Sequence, residues 1–369
     1  MNYFYIYSAG GGAGDWNGVK RVWKTKMPTA FKQNVLLKFG DVYFNHASAR
    51  NLIKPSNWTG VDNLRQWLAE NVNDEEVQTK TDILLDCGTS KIVNYIATQL
   101  TAHPDQIIER FDQLVMDQGI LEKYAQVVKK SQIKEVVTLD IPNTFKIRTQ
   151  SQATRTNHFD ASHQGQLLKL SASYANDLHK RLGDDAGAVM TTINGSWTPA
   201  QVEEYLSLLS YTPTKLAIGG LTGAGSSLID FINKLNQIVP FYGLQRLHLL
   251  GAGGIKSART IKSVYNGANV SVDNSTPMNR AIDGSTNGKT NSGYFDYETC
   301  GLTRINPGTV EGILKLHENA DQPLFTQEDM KYVLQQILLH QSGKSSQTTY
   351  DARAMLAIHN HDVFRRNAL

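Results

Sequence analysis

The chain has 369 residues, of which 40% are hydrophobic and 19% are charged, and its formal net charge is +3. This length is ample for a buried core, and the mildly basic balance permits a nucleic-acid partner without requiring one. Two cysteines without a CxxC pair exclude the usual structural zinc motifs and predict reduced thiols. The N-terminus lacks a secretory pattern, and no apolar run approaches the roughly 18 residues that cross a bilayer, so we expect a soluble cytoplasmic protein.

Short apolar runs rich in β-branched residues alternate with longer amphipathic stretches. The predicted strands are Val35–Phe39, Ile83–Asp86, Glu135–Asp140, Ala188–Ile193, Lys215–Gly220, Arg246–Gly251 and Val270–Asp273. The predicted helices include Asp105–Tyr124, Gly165–Leu182, Pro199–Leu209, Ser226–Val239 and Lys256–Tyr265. This alternation predicts a parallel sheet covered by helices.

Seven such strands, with an eighth expected near Tyr294–Asp296, favour an α/β fold of the closed (β/α)8 TIM-barrel type. We assign the barrel to residues 1–310 and a helical C-terminal extension to residues 311–369. An open doubly wound sheet is the alternative, and such a sheet usually carries a glycine-rich phosphate turn after its first strand. Ala9–Gly14 is glycine-rich, but no strong helical pattern follows at once, so we interpret it as a flexible loop.

Three aspartates follow three of the predicted strands. Asp86, Asp140 and Asp273 each stand where a strand ends. In a closed barrel the carboxyl ends of all strands surround one mouth, where barrel enzymes keep their chemistry. A single such aspartate is usually a turn or cap residue, but the fold has no need of three carboxylates in one cavity. Their mutual repulsion would raise the pKa of at least one of them, which suits acid–base chemistry.

Glycines and an amide mark the neighbouring strand ends. Gly219, Gly220 and Gly251 are either tight turns or places where bare backbone amides approach a flat polar ligand. Asn194 ends the strand before them. Carboxylates for ring N–H groups and amides for a carbonyl oxygen would fit a guanine-like base.

Several short segments resemble the tRNA-guanine transglycosylase superfamily, and most closely its branch that exchanges guanine for 7-deazaguanine bases in phage and bacterial DNA. Leu216–Leu221 is similar to the family's apolar-Gly-Gly-Leu segment, and Leu249–Gly253 to its Leu-Met-Gly-Val-Gly segment. Val272–Pro277 with Arg280 is similar to its nucleophile loop, and Ile358–Asn360 to its terminal Leu-His-Asn.

The resemblance implies a role for each matching residue. Asp273 would attack the anomeric carbon of a guanosine nucleotide, and Asp86 would shuttle the proton. Asp140 would hold the ring N–H and the exocyclic amine of the base. Asn194 would contact the base carbonyl with the Gly220 amide, and the base-binding set is completed by Gly219, Leu221 and Gly251. This is retaining glycosyl transfer, and it implies no cofactor or metal ion.

The sequence also departs from the family. The tRNA enzymes carry three cysteines and a histidine for zinc after the nucleophile, whereas Cys300 is the one cysteine here. We therefore expect no zinc subdomain, and DNA rather than tRNA as the partner. Thr222–Gly225 occupies the stretch where the family has a glutamate that pairs with a cationic base. A neutral 7-cyano-7-deazaguanine is accordingly the expected incoming base.

Basic residues near the strand ends are candidates for nucleic-acid contacts. They are Arg280, Lys289, Arg304, Arg148 and Arg155. The last two lie in the long Phe145–Gln164 segment, which is placed to cover a flipped nucleotide.

Three alternatives stay open. The enzyme could act on tRNA, or the chain could be a catalytically silent nucleic-acid-binding subunit, although the three aspartates argue against silence. A small-molecule lyase or isomerase on the same barrel is the third, but its usual lysine or metal ligands are missing from the strand ends. The oligomeric state is left open.

Overall fold

The computed structural model describes the greater part of the chain. The described residues are 1–7, 13–46, 53–58, 61–148, 154–220, 230–231, 233, 237, 244–252, 254–264, 269–282, 292–344 and 346–368. The predicted helix Ser226–Val239 and most of the glycine-rich Ala9–Gly14 run lie outside these ranges.

Eight parallel strands close into a barrel, as the sequence predicted. They are β1 (Asn2–Tyr7), β2 (Asn34–Lys38), β5 (Asp82–Asp86), β6 (Glu135–Val137), β9 (Val189–Asn194), β10 (Lys215–Gly219), β11 (Arg246–Leu249) and β12 (Asn269–Asp273). They neighbour one another in this chain order, and β12 pairs back onto β1 with Phe4 opposite Asp273. The barrel is therefore of the (β/α)8 type.

The eighth strand is not where the sequence placed it. Tyr294–Asp296 was expected to close the barrel, but Gly293–Phe295 (β13) instead pairs antiparallel with Leu302–Arg304 (β14). The barrel is closed by β1, of which all residues but the first are buried. A strand in this position faces the barrel interior on one side and the helices on the other, so it is apolar throughout and shows no alternation.

Two predicted strands end earlier than expected. Val35–Phe39 stops at Lys38, because Phe39 begins a short helix. Glu135–Asp140 stops at Val137, and Asp140 therefore lies in the loop beyond the strand. The other five predicted strands agree with the structure to within two residues at each end.

Alternate strand residues fill the barrel interior. Phe4, Ile6, Leu36, Leu84, Val137, Met190 and Ala217 form one buried cluster there. A larger cluster lies between the strands and the helices. Below the inner cluster, at the amino ends of the strands, Arg246 donates from Nε to Glu135 at 2.8 Å.

Helices follow the strands around the outside of the barrel. The helices that precede β10 in the chain are α1 (Ala13–Lys26), α2 (Thr29–Gln33), α3 (Phe39–Tyr43), α4 (Leu64–Val72), α5 (Glu76–Lys80), α6 (Thr89–Tyr95), α7 (Pro104–Asp117), α8 (Ile120–Lys130), α9 (Gln164–Leu182) and α10 (Pro199–Ser207). The later ones are α11 (Ile255–Val264), α12 (Thr276–Ile282), α13 (Val310–Glu318), α14 (Gln327–Gln341) and α15 (Gln347–Ala368). A π-helical turn (Ile96–Leu100) and two 3-10 turns (Ala161–His163 and Gly183–Ala188) complete the helical elements described.

Two helix expectations need correction. Asp105–Tyr124 is not one helix, because the chain breaks at Gly119 (φ +56°) between α7 and α8. Ala9–Gly14 was interpreted as a loop because no helical pattern follows it at once. That reason is wrong, since α1 begins at Ala13, inside the run. The expected start of α10 at Pro199 is confirmed. Thr198 precedes it as the N-cap and forms a capping box with Gln201.

Two hairpins lie outside the barrel sheet. Phe44–His46 (β3) pairs with Ile53–Trp58 (β4), and Thr144–Arg148 (β7) pairs with Thr154–His158 (β8). The second hairpin occupies the long segment that was expected to be a loop, and it follows Asp140 directly.

The C-terminal region is helical, as expected, and α15 is nearly enclosed. It packs against α1, α12 and α14, and residues 352–364 along it are all buried. Arg365 and Arg366, at the end of α15, both pair with the buried carboxylate of Asp362.

Candidate active site

Asp273 is the last residue of β12 and is fixed in the mouth of the barrel. Its side chain is 7% exposed. Its Oδ1 accepts a hydrogen bond from the backbone N–H of Gly251 at 2.9 Å and lies 3.0 Å from Nε2 of His248. Gly251 has a φ of +71°, which a residue with a side chain adopts with strain. The turn after β11 therefore points a backbone donor at the carboxylate.

Asp86 and Asp140 form a second carboxylate group, which we call the acidic cluster together with Cys87 and Thr89. The Cys87 thiol lies 3.6 Å from Oδ1 of Asp86 and 3.9 Å from Oδ1 of Asp140. Thr89 donates from Oγ1 to Asp140 at 3.1 Å, and the backbone N–H of Gly88 donates to Asp86 at 3.2 Å. The structure thus brings two of the three predicted aspartates together around one thiol.

The acidic cluster raises the pKa of two of its members. Burial, and next the charge of Asp86, raise the pKa of Asp140 from 3.8 to about 7. Burial and the two neighbouring carboxylates also raise the pKa of the Cys87 thiol, which therefore keeps its proton. The sequence expectation that crowding would raise the pKa of one aspartate agrees with this shift. A carboxyl group that titrates near pH 7 can both give and take a proton.

A network of polar side chains, which we call the amide network, lies between the two carboxylate sites. Oδ1 of Asn194 accepts from the backbone N–H of Ser196 at 3.0 Å and from its hydroxyl at 2.9 Å. Asn143 donates to the same hydroxyl at 2.5 Å. Because Oδ1 of Asn194 is engaged, its amide N–H groups are the ones left to meet a base carbonyl.

Gly220 is required beside Asn194. Its φ is +75°, and a Cβ at this position would lie 2.7 Å from Oδ1 of Asn194. Gly219 is the last residue of β10 and is hydrogen-bonded to the end of the neighbouring strand. Its carbonyl accepts from the N–H of Gly195, which follows β9, at 2.8 Å. Leu221 lies outside the described residues.

The strand order sets how these groups face one another. In the ring of eight strands, β12 stands four places from β6, on the opposite side of the mouth. The acidic cluster follows β5 and β6, the amide network follows β6 and β9, and Asp273 ends β12. All three predicted aspartates lie at the carboxyl end of the barrel, with Asp273 across the mouth from the other two.

The loop that begins at Asp273 is tied to the C-terminal helix. Asn360 in α15 donates to the carbonyl of Pro277 at 3.3 Å and to that of Gly293 at 3.0 Å. Its Oδ1 accepts from the N–H of Phe295 at 3.1 Å. His359 lies 2.8 Å from the carbonyl of Phe295 through Nε2. The Ile358–Asn360 segment thus anchors α12, which follows the candidate nucleophile.

The predicted nucleic-acid contacts are partly described. Arg280, Arg304 and Arg155 are exposed. The backbone of Arg148 lies in β7, but its side chain and all of Lys289 are outside the described residues. Arg280 stands on α12 after Asp273, and Arg155 on the β7–β8 hairpin after Asp140.

Sequence reasoning missed two charged or titratable groups. No histidine was among the candidate site residues, but His248 in β11 reaches Asp273. A lysine was also expected to be missing there, which is wrong, because β2 ends at Lys38 opposite Asp86. The alternation that places Leu36 inside the barrel places Lys38 on the same face.

Within the described ranges, no group of three or more histidine, cysteine or acidic side chains is arranged to hold a metal ion. No helix among the described residues has both the length and the apolar character needed to cross a bilayer.

No protein family and no curated protein matches the chain. Among solved structures it is similar to a candidate sugar phosphate isomerase/epimerase from Anabaena variabilis, with 12% identity and a TM-score of 0.37 over 74% of this chain and 84% of that one. It is also similar to a candidate fructose-1,6-biphosphate aldolase from Coccidioides immitis, with 13% identity and a TM-score of 0.35 over 77% and 76%. These similarities concern the barrel fold, and at this level they say nothing about the reaction.

Proposed function

We propose that the chain is a guanine transglycosylase that replaces guanine in DNA with a 7-deazaguanine base. The observation that carries the proposal is the pairing of two unlike carboxylate sites across one barrel mouth. Asp273 is immobilised through one oxygen, while Asp140 titrates near neutral pH beside Asp86. One fixed carboxylate and one protonatable carboxyl pair are what retaining glycosyl transfer requires.

The first half-reaction detaches guanine. A carboxylate oxygen of Asp273 bonds to the anomeric carbon as the bond from that carbon to N9 of guanine breaks. The electron pair of the broken bond goes to the base, and Asp86 supplies the proton that neutralises it. The product is a sugar ester of Asp273 and free guanine.

The second half-reaction runs in reverse with a different base. Asp86 removes a proton from the incoming 7-deazaguanine, whose ring nitrogen attacks the anomeric carbon while the ester bond breaks. The carboxylate of Asp273 is restored, and two inversions at one carbon give net retention.

The acidic cluster and the amide network suit the two edges of a guanine-like ring. Asp140 would accept from the ring N–H and the exocyclic amine, and Asn194 would donate to the base carbonyl. The glycine at position 220 supports this arrangement because a side chain there would displace the Asn194 amide. The same groups can read guanine and a 7-deazaguanine, since both bases carry this edge.

The choice of DNA rests on the sequence after the nucleophile. That region contains a single cysteine, Cys300, which is too few for the zinc subdomain of the tRNA enzymes. The target nucleotide of a duplex would have to leave its stack to reach the barrel mouth. The absence of a glutamate in Thr222–Gly225 supports a neutral incoming base such as 7-cyano-7-deazaguanine.

The test incubates the purified protein with DNA or tRNA that carries labelled guanine, plus 7-cyano-7-deazaguanine, and follows release of the label. We expect release from DNA that depends on the added base. Release from tRNA alone would overturn the DNA assignment. If neither substrate releases label and no covalent adduct forms, the catalytic proposal fails.

A further inference from the structure

His248 is a buried histidine of the barrel interior, and it has no role in the two half-reactions described above. It is 0% exposed. Nε2 lies 3.0 Å from Oδ1 of Asp273, and Nδ1 lies 2.8 Å from Oγ of Ser271 on the same neighbouring strand. Phe4 packs edge-on against the ring, with centroids 5.6 Å apart. The ring is therefore held at both nitrogens and on one side.

The chemistry of the two partners sets the direction of each hydrogen bond. A carboxylate oxygen can only accept, so Nε2 carries the proton toward Asp273. A serine hydroxyl can both donate and accept, so Ser271 can donate to Nδ1 when the ring carries its proton on Nε2. This proton arrangement satisfies both buried contacts.

We propose that His248 is a positioning residue for the nucleophile: it donates Nε2–H to Oδ1 of Asp273 and leaves Oδ2 to form and break the bond to the sugar. The inference rests on the proposed function. The backbone N–H of Gly251 donates to the same oxygen at 2.9 Å. Two donors on one oxygen fix the rotation of the carboxyl group, so the other oxygen faces the cavity in one orientation.

The Nε2–H group of His248 also affects the two half-reactions unequally. Before attack, Oδ1 belongs to a charged carboxylate, whereas in the sugar ester it is the neutral carbonyl oxygen. A hydrogen bond to a charged group is stronger than one to a neutral group. His248 therefore stabilises the free carboxylate more than the ester, and it favours release of the ester to the incoming base.

Two substitutions separate this role from simple packing. The amide nitrogen of glutamine reaches about as far as Nε2 of histidine, and that of asparagine about as far as Nδ1. His248→Gln keeps a donor for Asp273, and His248→Asn keeps a partner for Ser271 alone. Both remove the aromatic ring, so they are matched for loss of the Phe4 contact.

We expect His248→Asn to slow base exchange about 10- to 100-fold and to accumulate the covalent adduct, because hydrogen bonds to charged groups are worth that factor. His248→Gln should exchange within about threefold of wild type on the same basis. The measurements are the steady-state exchange rate and the fraction of protein trapped as adduct on a denaturing gel. Equal losses in both variants, or less adduct in His248→Asn, would overturn the positioning role.

A second readout does not depend on activity. Nitrogen NMR of the protein with labelled histidine reports which ring nitrogen carries the proton. We expect a proton on Nε2, and loss of that signature in Asp273→Ala. A bare Nε2 in wild type would overturn the inference even if exchange is observed. A protonated Nε2 in a protein that shows no exchange and no adduct would leave the contact intact and remove the transglycosylase proposal instead.

Discussion

The two carboxylate sites of the barrel mouth are built in opposite ways. Asp273 meets two N–H groups, one from a side chain and one from the backbone, and both end on the same oxygen. Asp140 meets a second carboxylate, a thiol and a hydroxyl, and its pKa is raised to about 7 by burial and by Asp86. One site is organised to hold a carboxylate still, and the other to let a proton come and go.

This difference agrees with the proposed roles. A nucleophile has to be in a single orientation when the sugar arrives, and fixed donors provide that. The acidic cluster binds a proton near neutral pH because burial, and next the charge of Asp86, raise the pKa of Asp140, and a proton held beside Asp86 in this way is available to a base that leaves or arrives. We therefore expect substitutions to impair the two sites separately.

The largest effect is expected at Asp273. Asp273→Asn keeps an acceptor for His248 and Gly251 but cannot form the sugar ester, so exchange should fall by more than about 10³-fold. No covalent adduct should be trapped, while the thermal midpoint should stay close to that of wild type. Asn274→Ala, at the next position in the same loop, is the control for local disturbance. Exchange near the wild-type rate in Asp273→Asn would remove the nucleophile assignment.

Asp86 should give the next largest effect, on the opposite side of the mouth. Asp86→Asn removes the proposed proton shuttle, and loss of a general acid–base group costs about 10²-fold in rate. It also removes the charge that is the second cause of the raised pKa of Asp140, so that pKa should fall. Exchange kinetics and a carbon NMR titration of labelled aspartate measure the two consequences.

One outcome of this experiment would contradict the coupling between Asp86 and Asp140. If the pKa of Asp140 is unchanged in Asp86→Asn, the two carboxylates do not act on each other in solution. Cys87→Ser is the matched control, because it keeps a donor between the two carboxylates without changing the charge.

Much of this arrangement follows from the sequence because β-type runs and the polar residues after them are local signals. Asp86, Asp140, Asn194 and Asp273 were all found in this way, and so was the barrel. The eighth strand was missed because Asn2–Tyr7 is buried on both faces and has no alternation to mark it.

The groups inside the strands were missed for a different reason. His248 reaches Asp273 only because β11 and β12 pair with His248 opposite Ser271. Lys38 lies beside Asp86 only because β2 and β5 pair in that register. Register between strands far apart in sequence is set by the packing of the whole barrel and not by local pattern.

A smaller effect, on stability, is expected at Asp140. Its pKa is raised from 3.8 to about 7, so the folded state binds a proton that the unfolded chain has lost between these values. The stability from this protonated group is fully present below pH 3.8 and is lost as pH rises through 7. Asp140→Asn cannot ionise and avoids this loss.

We therefore expect Asp140→Asn to raise the free energy of unfolding, relative to wild type, by about 4 kcal/mol more at pH 8 than at pH 4, because the pKa shift from 3.8 to about 7 covers about three units of about 1.4 kcal/mol each. Denaturant unfolding of both proteins at the two pH values measures it. The variant should also lose base exchange, which would separate the cost of the group in folding from its use in the reaction. An equal change in stability at both pH values would contradict the raised pKa.

The smallest effects are expected at the rim. Arg280 and Arg155 are exposed, one beyond Asp273 and the other on the hairpin beyond Asp140. Each arginine that contacts a phosphate should contribute about one unit to the slope of log affinity against log salt. Arg280→Ala and Arg155→Ala should each weaken DNA binding a few-fold and lower that slope by about one, whatever the DNA sequence. Lys180→Ala, on the exposed end of α9 next to the amino end of β9, should change neither quantity. If only the arginine on one side of the mouth changes the slope, the nucleic-acid backbone contacts the protein on that side.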